Sequence, residues 1–376
     1  MNFRAFAKAA GAATEILAVV KANAYGHGAE VCSAMLARAG ARWLGVTCSN
    51  EGMRVRQALD AVEFMRGGDE STPEILVMCG FLSDEVAMLQ EHALTPVVWN
   101  LEQISWLQSS SGMKVHVEVD TGMGRQGVEP GQALEELLNE IASSRLSLDG
   151  IFTHFCESES AHSELTQTQE QRFEAAIAQV RAKELKPSWV HAGNSSTVDN
   201  PAQPWPWLVQ LAESVGAHAM VRSGLALYGY SLPIDGADSS LVQPQVRPAL
   251  RPVMQWKTRV LAIRDLAAGD TVGYGATFTA PAPMRVALLP VGYADGLRRE
   301  LSSTNSKPGG WVMIADHRAA ILGRISMNLT VVDVTGIDGV AAGDEVVLLG
   351  DGVTAEDHAQ LAATIPYEIL CGVRER

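Results

Sequence analysis

Short, continuously apolar runs alternate with longer amphipathic stretches over the first two-thirds of the chain. The runs are Ile16–Ala22, Trp43–Thr47, Ile75–Cys79, Pro96–Trp99, Val115–Asp120, Gly150–Phe155, Trp189–Ala192 and Ala219–Ser223. Unbroken apolar segments of this length predict strands buried on both faces of a parallel sheet. Between them, Ala29–Ala39, Ala133–Ala142 and Thr168–Lys183 set apolar residues at helical spacing with charges between. About eight strand–helix units is the number that closes a (β/α)8 TIM-like barrel.

The texture changes after Leu232–Gly236. Pro244, Pro248 and Pro252 punctuate a linker, followed by apolar runs at Val253–Ala262, Arg285–Pro290, Trp311–Ile314 and Glu345–Leu349. Glycine-containing turns at Ala267–Asp270, Lys307–Gly310 and Ala341–Asp344 separate them. Strands without long intervening helices predict a mostly antiparallel β domain. The expected organisation is therefore a barrel over 1–235 and a β domain over 236–376.

Composition narrows the function. The chain has 376 residues, 47% of them hydrophobic, enough for two cores. A net charge of −14 argues against nucleic acid or an anionic membrane surface as the main partner, since both need basic patches. The five cysteines are scattered with no CxxC pair, so neither a zinc site nor a disulfide framework is indicated. No apolar run is long enough to span a bilayer and no signal segment opens the chain, so a cytoplasmic protein is expected.

In a closed α/β barrel the chemistry gathers at the carboxyl ends of the strands. Lys21 ends the first run, and burial there is expected to lower its pKa, as a nucleophilic or Schiff-base lysine requires. Tyr25, Gly26, His27 and Gly28 read as a turn into the next helix. Arg125 follows the fifth run, His154 ends the sixth, His191, Asn194 and Ser195 follow the seventh, and Arg222 ends the eighth. Each has a plain structural reading when taken alone; their convergence on one face favours chemistry. A lysine, arginines, histidines and a small polar loop suit pyridoxal 5′-phosphate, an aldehyde, a phosphate and a pyridine in one molecule. Hydroxyls and amides around Tyr25, Ser195 and Gly224 could hold the phosphate. An arginine facing the pyridine donates a hydrogen bond without giving up its proton.

The string Ala18-Val-Val-Lys-Ala-Asn-Ala-Tyr-Gly-His-Gly28 resembles the cofactor-lysine motif of the alanine racemase family, and the resemblance extends over essentially the whole chain. It implies that Lys21 carries the cofactor and that Tyr25 touches its phosphate. Asp120-Thr-Gly-Met-Gly-Arg125 is similar to the segment whose arginine meets the cofactor's phenolic oxygen and the substrate carboxylate. The same resemblance places His154 near the ring, Asn194 and Ser195 near the phosphate, and Arg222 at the pyridine nitrogen. Tyr274, in Val272–Phe278, matches the second catalytic base, contributed by the partner subunit of a homodimer. Tyr293 and Tyr367 match tyrosines of the entrance and the phosphate side, and Met327 a residue whose backbone meets the substrate carboxylate. The implied activity interconverts L- and D-alanine with Lys21 and Tyr274 as two bases, supplying D-alanine for peptidoglycan.

Several departures stand out. Glu118 occupies a position where the family often has a lysine that can be carbamylated to steady the arginine, here Arg125. Asn328 replaces an aspartate expected after Met327. The strand that usually precedes Asn2–Ala5 is absent, and the chain stops at Arg376 before the usual final strand. Two alternatives remain open: a racemase of broader spectrum acting on serine or basic amino acids, and a non-catalytic protein that buffers pyridoxal phosphate. A barrel-type decarboxylase is disfavoured because Arg222 stands where an acidic partner for the ring nitrogen is expected.

Overall fold

In the computed structural model, residues 1–66, 72–200, 202, 205–236 and 244–374 are described. The final Glu375 and Arg376 lie outside the described residues. The chain divides into two compact units, one of Met1–Ala24 with Gly28–Arg251, the other of Tyr25–His27 with Pro252–Arg376.

The first unit is a closed parallel barrel. Its strands are β1 (Thr14–Val19), β2 (Trp43–Val46), β3 (Glu74–Val77), β4 (Leu94–Val98), β5 (Lys114–Glu118), β6 (Ser147–Phe152), β7 (Trp189–His191) and β8 (His218–Ser223), hydrogen-bonded in chain order. Closure comes from β1 pairing with β8 in parallel, Ile16 beside Val221 and Ala18 beside Ser223. All eight predicted runs are strands, and nearly every strand residue is buried. The outer helices follow the predicted periodicity. Glu164–Ala182 turns Phe173, Ala176, Ile177 and Val180 inward, and it starts four residues before the predicted Thr168. The reason is a cap: the Ser163 hydroxyl accepts from the Thr166 amide at 2.9 Å.

The second unit carries β9 (Trp256–Arg259), β10 (Ala262–Leu266), β11 (Thr271–Val272), β12 (Phe278–Thr279), β13 (Met284–Leu289), β14 (Trp311–Ile314), β15 (His317–Leu322), β16 (Thr330–Asp333) and β17 (Glu345–Leu349). Seven of these form one antiparallel sheet in the order β10-β13-β16-β15-β14-β17-β9, with β11 and β12 a separate pair. Its core includes Val260, Ala287, Leu289, Val312, Ile314, Ile321, Val332, Val346 and Leu348. The run Val253–Ala262, expected as one element, is two strands, because Val260 and Leu261 bond to Asp344 and Leu288 respectively and turn the chain between two neighbours. Sequence reading missed β15, whose link to β14 is the two-residue turn Ala315-Asp316 at φ 46° and 64°. Those are hairpin-turn angles reached without the usual Asn-Gly signal. Among the described residues, no helix is long and apolar enough to cross a membrane.

Candidate active site

The strand β1 ends at Val19, three residues earlier than the run predicted, so Lys21 does not terminate a strand. It opens the helical segment Lys21–Gly26, which winds left-handed: Ala22, Asn23, Ala24 and Tyr25 have φ of 52–54°. The expected simple turn is thus a left-handed turn of four non-glycine residues, costing roughly 4–8 kcal/mol in isolation. Such strain persists only where its surroundings over-determine it. Here Glu51 accepts from the Ala22 amide at 2.8 Å and from the Thr47 amide at 2.8 Å. The Asn23 side chain accepts from the Ala29 amide at 2.9 Å. The winding fixes the direction in which the chain, and with it Lys21, leaves the barrel wall.

Arg125 follows β5 on a loop shaped by Asp120, whose carboxylate accepts from the amides of Gly122, Met123 and Gly124 at 2.9–3.1 Å. Glu118 is 3% exposed, and its hydrogen-bonded partner is the amide of Gln126, which also donates to the Met78 carbonyl at 2.9 Å. The Glu118 side chain therefore bonds to Gln126 in place of a direct bond to Arg125. A glutamate is shorter than a carbamylated lysine, and Gln126 takes up its oxygen; Arg125 and Arg222 act on it only through their charge.

Burial pushes the Glu118 carboxyl up to about 7, against the pull of Gln126, Arg222 and Arg125. A carboxyl raised in the folded state contributes stability below its unfolded value of 4.5 that is lost as pH climbs through 7. The expected size is roughly 3 kcal/mol. Glu118→Gln removes the titration, so the difference in denaturation midpoint between the two proteins should change between pH 5 and pH 8, with the variant gaining at the higher pH. A constant difference would refute this. The variant comparison is needed because His154 titrates in the opposite sense: depressed in the folded state, it contributes stability above 6.5 that is lost as pH falls toward 3.

Arg222 lies within the barrel, 5% exposed. One guanidinium nitrogen donates to the Thr153 carbonyl at 2.8 Å and to His154 Nδ1 at 3.0 Å, and the other to His191 Nδ1 at 3.3 Å. Its plane lies 4.8 Å from the centre of the Phe152 ring. Burial brings the guanidinium down to about 10, which leaves it charged at neutral pH. His154 is pushed down to about 3 by burial and then by the charges of Arg222, Arg125 and Lys21. His154 is therefore a neutral acceptor. Lys21, Arg125 and His154 follow the ends of β1, β5 and β6, and Arg222 lies at the end of β8, so the four stand at the carboxyl end of the barrel.

Across the barrel mouth, the Ser195 hydroxyl accepts from the amides of Gly224 and Ala226 at 3.1 and 3.3 Å, and Asn194 caps the short helix Ser195–Asp199 by accepting from Thr197. Ser195, Asn194 and Gly224 thus meet, as the loop pattern suggested. In the second unit Tyr25 and Tyr367 meet at a tilt of 44° with ring centres 5.8 Å apart, and burial together with Tyr367 and Cys371 raises the Tyr25 phenol. Tyr293 and Met327 lie on adjoining loops, the Tyr293 amide bonding to the Ser326 carbonyl at 3.1 Å and Ala294 to that of Met327 at 3.0 Å. Tyr274 stands apart on a turn between Gly273 and Gly275, 70% exposed. Sequence reading missed Gln126, Glu51, His116 and Asp149. For His116 a signal existed: it alternates with Glu118 on the inward face of an otherwise apolar run.

A parallel barrel whose carboxyl end gathers an amine, two guanidinium groups and a neutral imidazole, followed in the chain by an antiparallel β unit, has the architecture of a class of barrel enzymes. Two family models cover the chain, the alanine racemase N-terminal domain over residues 1–232 and the alanine racemase C-terminal domain over 253–376. An alanine racemase of Methylacidiphilum infernorum is 33% identical over 369 residues, 96% of this chain and 84% of the relative. One of Symbiobacterium thermophilum is 35% identical, covering all of this chain and 92% of the relative. The solved alanine racemase of Clostridium difficile superimposes with a TM-score of 0.84 at 26% identity, covering 100% and 90% of the two chains. That of Bartonella henselae, with covalently bound pyridoxal phosphate, gives 0.79 at 27%, covering 100% and 94%. The chain belongs to the alanine racemase family, isomerases that depend on pyridoxal phosphate.

Proposed function

We propose that this protein interconverts L- and D-alanine with pyridoxal 5′-phosphate, using Lys21 on one face of the substrate and Tyr274 of the partner subunit on the other. The observation that carries this is the convergence of Lys21, Arg125, His154 and Arg222 on one end of the barrel. The donor set fits the cofactor: an amine for its aldehyde, the Ser195 hydroxyl, Gly224 amide and Asn194 for its phosphate, the Tyr25 and Tyr367 hydroxyls as further phosphate donors in this reading, and a donor-only group for its ring nitrogen. Bound there, pyridoxal phosphate supplies an electron-withdrawing system that acidifies the substrate's α-carbon.

Arg222 donates without surrendering its proton, so a ring nitrogen facing it stays unprotonated, which limits how long charge is held and disfavours side reactions. Arg125 binds the substrate carboxylate, helped by the Met327 backbone, with Tyr293 at the entrance. Lys21 takes the α-proton on one face while the Tyr274 phenol of the partner subunit returns one on the other. The exposure of Tyr274, Met327, Tyr293 and Leu329, between 41% and 70%, supports a homodimer in which a second copy covers them. The D-alanine formed serves peptidoglycan synthesis in this reading, and the site of action is the cytoplasm.

Racemisation of a panel containing alanine, serine and lysine tests the substrate. Alanine is expected to turn over fastest; equal or greater turnover on serine or lysine would assign a broader spectrum. Cofactor binding without racemisation of any of them would instead make this a buffering protein.

A further inference from the structure

A line of buried polar side chains runs through the barrel from Arg222 toward the amino ends of the strands. Arg222 Nη1 lies 3.3 Å from His191 Nδ1, and His191 Nε2 lies 2.9 Å from His116 Nδ1. His116 Nε2 faces Asp149 Oδ2 at 3.6 Å, and the other Asp149 oxygen accepts from the Ser188 hydroxyl at 2.7 Å. His116 and His191 are fully buried and Asp149 is 5% exposed. Room for the His116 ring is provided by Gly150, where a β-carbon would lie 2.4 Å from His116 Nδ1. Phe152 stacks on His191 with centres 4.4 Å apart and holds its plane.

The two ends of this line dictate its protons. A guanidinium only donates, so His191 Nδ1 must be bare and its proton must sit on Nε2. That proton points at His116 Nδ1, which must accept, leaving the His116 proton on Nε2. An ionised carboxylate only accepts, and that is what His116 Nε2 faces. His116 Nε2 and Asp149 Oδ2 are buried with no hydrogen-bond partner among the described residues, so each is the other's only candidate. Any other placement sets donor against donor at Arg222 or at His116. Burial keeps both rings neutral, and His116 with Ser188 outweighs burial to hold Asp149 below its ordinary value. Lys114 and Glu74, of opposite charge, flank the His116 end, while Glu118 and Arg125 act at the Arg222 end.

We propose that Asp149, His116 and His191 are positioning residues that order protons in one direction and so hold the guanidinium of Arg222 in the orientation that aims it into the site. The proposal rests on the reading above in taking Arg222 as the group that meets the cofactor's ring nitrogen.

The test is nitrogen NMR of the holoenzyme labelled in its histidine rings, recorded from roughly pH 5.5 to 8.5, with His116→Gln and His191→Gln used for assignment. Both rings are expected to be neutral with the proton on Nε2 throughout. A proton on Nδ1 of either ring, or a doubly protonated ring within that range, overturns the proposal. Asp149→Ala leaves the His116 Nε2 proton without its acceptor and should shift the His116 ring signals and lower kcat about tenfold with KM for alanine within about twofold. Asp149→Asn keeps an accepting oxygen and should restore both the ring signals and most of kcat. Unchanged ring signals and kcat in Asp149→Ala overturn the proposal, and if that variant does not fold the wild-type spectra decide alone. Because the spectra report protons and not turnover, a protein with this order that failed to racemise would refute the functional reading while leaving the relay intact.

Discussion

Lys21→Ala is expected to lower racemisation by about four orders of magnitude or more, the largest effect of any single substitution in this protein. Two functions are lost together, the covalent hold on the cofactor and proton transfer on one face. The amine is set by the left-handed turn of Ala22–Tyr25, so a shorter side chain has no compensating movement of the backbone available. Borohydride reduction followed by peptide mapping checks the assignment directly. In the wild-type protein the pyridoxyl adduct should fall on Lys21, and in the variant it should vanish. The other lysines provide the control. Lys8, Lys114, Lys183 and Lys186 lie away from the carboxyl ends of the barrel strands, and Lys257 and Lys307 belong to the second unit. An adduct on one of these, with Lys21 unmodified, would remove the foundation of the proposed function. Addition of a small primary amine should recover part of the variant's activity, since it replaces the missing base without the tether.

Tyr274→Phe comes second, with an expected loss in kcat of about 10²–10⁴, the range for removing one general acid–base group. The hydroxyl is the only group removed and the ring stays in place on the turn between Gly273 and Gly275, so cofactor content and stability should stay at wild-type levels. Mixing settles whether the tyrosine acts across subunits. A Lys21→Ala subunit paired with a Tyr274→Phe subunit retains one complete site only if Lys21 and Tyr274 come from different chains. Appreciable activity in the mixed dimer, beside two nearly inactive parents, is the expected outcome. No recovery on mixing, with dimers shown to form, would place both residues in the same chain or remove Tyr274 from the chemistry.

The barrel was legible because its evidence is local. A strand buried on both faces needs a continuous apolar run, and eight such runs with amphipathic helices between them leave few other folds. Strand ends could be located to within a few residues, which was enough to bring Lys21, Arg125, His154, Ser195 and Arg222 to one end. In the second unit the evidence was weaker. β15 opens on the exposed His317 and Arg318 after a turn without glycine, and β16 has four residues with only every second one buried, so neither stood out as a run.

Other features depended on partners distant in the chain. The left-handed winding after Lys21 is unfavourable for the residues that adopt it, and only the Glu51 carboxylate, 29 residues on, makes it visible. That Glu118 meets Gln126 and not Arg125 depends on how one loop folds back. His154 is neutral because three cations and a dry environment surround it, none of which its own neighbours in sequence predict. The line from Asp149 to Arg222 joins four strands. The sequence by itself determined the barrel, its companion β unit and the kind of groups at the strand ends, since hydrophobic periodicity and residue chemistry are properties of short segments. Only the tertiary structure decided charge states, hydrogen-bond partners and proton positions, because these are set by distances of a few ångströms between residues that the chain itself keeps far apart.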